Sequence, residues 1–129
     1  MVQDQKSGAK AVEYGLATAK KIAAILGAEK TGYPSSNEYI LENKCVVIKC
    51  ARQTTDSVGV PYQMLERVDS ILGSFEIEGG AYEIYELLPE VYKKNMRPTR
   101  SKGASAGRVG IVRKSTFYDE GKRLKVVHI

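Results

Sequence analysis

Apolar residues recur at three- and four-residue spacing along residues 8–27, GAKAVEYGLATAKKIAAILG, where Val12, Leu16, Ala19, Ala23 and Leu26 share one helical face. Ser7 stands where a helix is capped, and Gly27 where one ends. A second stripe, Met64, Leu65, Val68, Ile71, Leu72 and Phe75 within VPYQMLERVDSILGSFE, predicts the clearest helix of the chain, with Pro61 in its first turn. EVYKKNM predicts a short third helix. Strand patterns lie between them. EYIL, an ENK turn and the β-rich run CVVIKCAR predict a strand pair. AYEIYELL alternates, with Tyr82 and Ile84 on one face and Tyr85 and Leu87 on the other, and Pro89 closes it. RVGIVRKS and RLKVVHI predict two terminal strands, with TFYDEGK read as a hairpin turn between them. AEKTGYPSSN, QTTDSVG and RPTRSKGASAG are expected as loops.

The expected order is helix, strand, strand, helix, strand, short helix, strand, strand. A parallel crossover is allowed across residues 45–88, and the terminal strands are expected to pair antiparallel. The economical assembly is an α/β fold with a mixed central sheet flanked by helices. No internal repeat is visible. At 129 residues the chain is expected to form a single domain over 1–129, with a basic C-terminal loop and hairpin at 97–129.

Composition narrows the class. With 43% hydrophobic and 27% charged residues, the chain has enough apolar material to fold. No apolar run is long enough for a membrane span, and the polar start MVQDQKSGAK has no secretory apolar region. Cys45 and Cys50 fall at odd separation in one predicted strand, so they face opposite ways and are not expected to bond. A reducing, cytoplasmic setting is the expectation. One histidine, His128, makes a Cys/His zinc site improbable. Charge is unevenly placed. Residues 1–92 hold 9 Lys/Arg against 13 Asp/Glu, net −4, whereas residues 93–129 hold 11 against 2, net +9. An acidic body with a basic C-terminal quarter is the asymmetry of a chain with one face toward a polyanion, and nucleic acid, DNA first, is the expected partner.

The densest candidate chemistry lies in PSSNEYILENKCVVIKCAR, residues 34–52. Phosphodiester cleavage needs a metal ion to activate water, and Mg²⁺ (or Mn²⁺) is held by one or two carboxylates while keeping several waters. Glu38 at the entrance of one strand and Lys49 near the end of the next are expected to converge at one sheet edge, where the amine can offset charge on phosphate. The bland reading of Lys49 is an exposed strand residue. A helix with an internal glutamate, an acidic residue near a strand, an apolar strand ending in lysine, then helix and strand, resembles the core of the PD-(D/E)xK nuclease superfamily. That superfamily includes restriction endonucleases and Holliday-junction resolvases. The resemblance spans roughly residues 8–88 and implies a restriction endonuclease-like core. It sets Glu13 at the glutamate of the first helix, Glu38 at the acid of "PD", Lys49 at the lysine of "(D/E)xK", and Gln63 at a glutamine some members carry. The family has Asp or Glu two residues before the lysine; this chain has Val47. Either Glu42 or Glu13 supplies the second ligand, or the fold binds without cleaving.

MRPTRSKGASAGRVGIVRKS adds Arg97, Arg100, Lys102, Arg108, Arg113 and Lys114 as phosphate contacts, with Arg52 and Gln63 beside the candidate centre. Six such contacts on duplex DNA predict a log–log salt slope of about −5. Tyr39 and Tyr62 flank the centre and are candidates for base stacking. No GxxxxGK[ST] or GxGxxG motif is present, so no nucleotide loop is expected. An enzyme cutting both strands is expected as a two-fold homodimer. Two other readings remain open: a non-catalytic nucleic-acid binder on the same scaffold, and an interaction module whose basic quarter meets an acidic partner.

Overall fold

The computed structural model describes residues 2–32, 37–98 and 108–129, residues 2–12 by backbone only. Helix α1 (Val2–Leu26) buries Thr18, Ala19, Ile22 and Ala23, and ends at Gly27, whose φ of 79° is the left-handed value that closes helices. Short strand β1 (Glu29–Lys30) follows. β2 (Glu38–Leu41) and β3 (Lys44–Ala51) then form the expected hairpin. Its two turn residues, Glu42 and Asn43, have φ of 51° and 67°, the geometry that matches strand twist in a two-residue turn.

The second expected helix is where the structure departs most from the sequence pattern. Residues 57–78 form β4 (Ser57–Pro61), a single helical turn α2 (Tyr62–Leu65) and the long strand β5 (Ser70–Glu78). β6 (Ala81–Leu87) returns antiparallel to β5, and α3 (Pro89–Asn95) is the short helix expected there. β7 (Arg97–Pro98), β8 (Val109–Arg113), α4 (Lys114–Glu120) and β9 (Lys122–His128) complete the described chain. TFYDEGK is therefore mostly helix, and the terminal strands are not a hairpin. Phe117, fully buried, draws that segment into the core as a helix instead of letting it turn in solvent.

The strands form two sheets. The larger runs β1-β2-β3-β5-β6-β9, the smaller β4-β8-β7. β3 and β5 pair in parallel and every other described ladder is antiparallel, so the large sheet is mixed, as expected. Alternation along β3 and β5 sends their side chains into two cores. Val46, Ile48 and Leu72 pack with Tyr39 and the α1 residues Ala19, Ile22 and Ala23. Val47, Ala51, Ile71 and Phe75 pack on the other face with Val58, Val60, Val112, Tyr92 and Phe117 from the small sheet and the short helices. Cys45 and Cys50, both free, divide between these cores, as their odd spacing requires. None of the described helices is long and apolar enough to cross a membrane.

Candidate nucleic-acid interface and the Glu38–Lys49 centre

Glu38 opens β2 directly opposite Val47 on β3. Cross-strand partners share a face, and Lys49 follows Val47 by two residues, so Glu38 and Lys49 are diagonal neighbours on the side away from α1, their Cβ atoms roughly 7 Å apart. The register thus sets both residues on one face of the sheet. The chemistry of the pair differs from the expected one. Glu38 is 0% exposed, and Arg67 grips its carboxylate from two nitrogens: Nε donates to Oε1 at 2.5 Å and Nη2 to Oε2 at 2.9 Å. Lys30 also feels the Glu38 charge, which works against the desolvation that lowers its own pKa.

Arg67 reaches Glu38 because the segment between α2 and β5 is clamped to β3. The Asp69 carboxylate accepts from the Cys45 N–H at 2.8 Å, and the Asp69 N–H donates to the Cys45 carbonyl at 2.7 Å. Lys49 is half-buried opposite Gly73 of β5, and burial lowers its pKa from the ordinary 10.5, countered only partly by Cys50. A Cβ at Gly73 would lie 2.8 Å from the rings of Phe117 and Phe75, so the absent side chain is what lets the aromatic core close beside Lys49.

The other expected ligands stand elsewhere. Glu13 is exposed on α1, which packs on the opposite face of the large sheet. Glu42 is in the hairpin turn, four residues and about 13 Å along β2 from Glu38. Among the described residues, no three His, Cys, Asp or Glu side chains come together as a ligand group. Among the described residues, the buried Glu38 carboxylate is held by a guanidinium, and the carboxylates expected to join it lie on another face or at the far end of the strand. Tyr39 likewise packs in the α1 core, while Tyr62 is half-buried beside the small sheet. Arg52 leaves β3 toward α1 and stacks on Tyr14, 4.2 Å from the ring centroid, and Tyr14 donates to or accepts from Tyr82 at 2.6 Å. Gln63 is exposed on α2.

The basic residues assemble more closely. Arg97 on β7, Arg113 at the end of β8 and Lys114 at the start of α4 line one cavity of about 450 Å³, together with Asp56, Ser57 and Ser115. Ser57 pairs with Arg113 across the β4–β8 ladder, and the Lys114 N–H donates to the Asp56 carbonyl at 2.6 Å. Arg108 stands at the opposite end of β8, about 17 Å from Arg113, its carbonyl accepting from the Tyr62 N–H at 2.9 Å. Arg100 and Lys102 lie outside the described residues. A second cavity, of about 280 Å³ beneath α1, mixes Lys44, Lys122 and Lys125 with Glu42 and Glu86 over a leucine floor. Its mixed charge makes it the weaker anion site.

Sequence reasoning missed Arg67, Asp69, Asp56, Ser57 and Ser115. Arg67 and Asp69 sit inside a stretch whose apolar spacing predicts helix, and Arg67 is 29 residues from the carboxylate it holds. No local pattern announces such a contact. Comparison with family models, with curated proteins and with solved structures gives no match.

Proposed function

We propose that the protein binds nucleic acid through its phosphate backbone, using the basic margin of the three-stranded sheet. One observation carries this reading: Arg97, Arg113 and Lys114, from three separate elements, converge on one cavity. Among the described residues none of them forms an ion pair. Arginine offers paired N–H donors to phosphate and lysine a point charge. Free cysteines on both faces of the large sheet suit a cytoplasmic setting.

The test is fluorescence anisotropy of duplex and single-stranded oligonucleotides across a salt series. Contacts from Arg97, Arg108, Arg113 and Lys114 give a slope of about −3.6 on duplex DNA, and the double variant Arg97→Ala/Arg113→Ala lowers its magnitude by about 1.8. No affinity at low salt, or a slope indifferent to that variant, refutes the proposal. Phosphodiester hydrolysis on a restriction endonuclease-like core is the second reading. It is favoured by Glu38 and Lys49 occupying diagonal sites on one face. It requires Arg67 to release Glu38. DNA cleavage in Mg²⁺ or Mn²⁺ that disappears in both Glu38→Ala and Lys49→Ala supports it; cleavage surviving in both removes it.

A further inference from the structure

We infer that the cavity between Arg97, Arg113 and Lys114 receives the terminal phosphate of a nucleic-acid strand together with the nucleoside that bears it. This rests on the backbone-binding reading above and adds a feature to it: recognition of an end. Among the described residues, three cations and one carboxylate line the cavity, a net charge of +2. An internal phosphodiester carries a single negative charge. A phosphate monoester carries about −1.5 to −2 at pH 7 and presents three acceptor oxygens. The cavity therefore matches the monoester in charge. It also matches in donors, with two guanidinium forks, one ammonium and the hydroxyls of Ser57 and Ser115.

Volume and the odd carboxylate extend the assignment from phosphate to nucleotide. About 450 Å³ is far more than a phosphate group fills and falls in the range of pockets that enclose small organic ligands. Asp56 repels phosphate, but its oxygens are acceptors for a sugar hydroxyl or a base amino group, the donors a nucleoside brings with it. Two backbone links, the Ser57–Arg113 pairing and the Lys114 N–H to Asp56 carbonyl bond, fix the wall that carries both charges. The strand end is favoured over a free nucleotide by Arg108. It lies about 17 Å away along β8, so a chain leaving the cavity meets a further cation. No phosphate-loop motif takes part; the site is assembled from segments distant in sequence.

Anisotropy with three labelled oligonucleotides of one sequence, carrying a 5′-phosphate, a 3′-phosphate or only hydroxyl ends, tests the inference. One phosphorylated end should bind about tenfold tighter than the hydroxyl-ended strand, the effect of a charge-assisted hydrogen bond. Arg113→Ala and, separately, Arg97→Ala should abolish that preference, while Lys94→Ala, on the exposed face of α3, should preserve it. A nucleoside monophosphate should compete with the phosphorylated strand, less well against Asp56→Asn. Equal affinity for all three strands overturns the end-binding pocket and leaves backbone binding standing. Binding of the nucleoside monophosphate with no affinity for any strand overturns both the strand end and the backbone reading, while keeping a mononucleotide site. Circular dichroism of each variant confirms that it is folded.

Discussion

Replacing Arg67 by alanine should destabilise the fold by about 2–3 kcal/mol. The guanidinium donates two charge-assisted hydrogen bonds to Glu38, and bonds to charged groups contribute roughly 1.5–3 kcal/mol each. Removing one partner of a fully buried pair costs roughly 3–5 kcal/mol. Two features reduce that figure here: the Arg67 side chain is 37% exposed, so solvent already screens it, and Lys30 lies within reach of the Glu38 charge. The same geometry predicts an asymmetry. Glu38 is shut away from water, whereas the guanidinium can rehydrate, so Arg67→Ala should cost more than Glu38→Gln by about 1 kcal/mol. Arg67→Lys keeps the charge but not the fork, and should fall between wild type and Arg67→Ala. Urea denaturation followed by circular dichroism measures all three, with the double variant Arg67→Ala/Glu38→Gln closing a cycle. In a chain of 129 residues, 2–3 kcal/mol corresponds to a drop in Tm of about 8–12 °C. A loss below about 1 kcal/mol for Arg67→Ala, or Glu38→Gln proving the costlier change, would show that the pair is a solvated contact and that the burial argument fails.

Four further outcomes follow from the geometry. Gly73→Ala forces a methyl to 2.8 Å from Phe117 and Phe75 and should cost about 1–3 kcal/mol by the same denaturation assay; a neutral result would mean the rings move freely. Tyr92→Phe removes the hydroxyl that donates to the Gly110 carbonyl at 2.7 Å, with the Val58 carbonyl at 3.2 Å, and should cost about 1–2 kcal/mol. Burial lowers the Lys49 pKa below 10.5, so the unfolded chain holds that proton more tightly; the unfavourable contribution is full below the folded pKa and fades as pH rises toward 10.5. Lys49→Met should therefore stabilise the protein at pH 7 by more than it does near pH 10.5, and a pH-independent effect contradicts this. Burial pushes the Cys50 thiol up to about 12, while Cys45 is raised by burial and by Glu38 but partly relieved by Arg67. Alkylation at pH 8.5, read by mass spectrometry, should label Cys45 at least about tenfold faster, and a Cys50-first pattern would refute it.

Much of this architecture was legible in the residues, and the failures lie where tertiary packing overrides the local pattern. The first helix and the short helix after Pro89 keep a wet side, while the β2–β3 hairpin and the strand at Tyr82–Leu87 are marked by the ENK turn and the closing Pro89, so these elements show. Strand β5 does not: Ser70–Phe75 is buried throughout, because α1 covers one side and the small sheet the other. A strand dry on both faces reads as a continuous apolar run, and its residues complete a false helical stripe with Met64, Leu65 and Val68. TFYDEGK misleads in the opposite way, since its turn-forming Asp-Glu-Gly hides a helix anchored by the single buried ring of Phe117. At the candidate centre, the ENK turn made a shared site for Glu38 and Lys49 an expectation, but their relation to Arg67 depends on tertiary packing. The cation cluster was legible as composition. Its division among β7, β8 and α4 was not, because small-sheet pairing is non-local.

The Tyr92 phenol has a consequence for recognition. By tying the carbonyl oxygens of β4 and β8 to α3, it welds the cation-bearing platform to the interior. On the backbone-binding proposal, an arriving polyanion would meet cations whose backbone anchors are already fixed, leaving mainly their side chains to be ordered on contact. Loosening that weld should shorten the lifetime of the complex and leave the rate of encounter, set by long-range attraction, nearly unchanged.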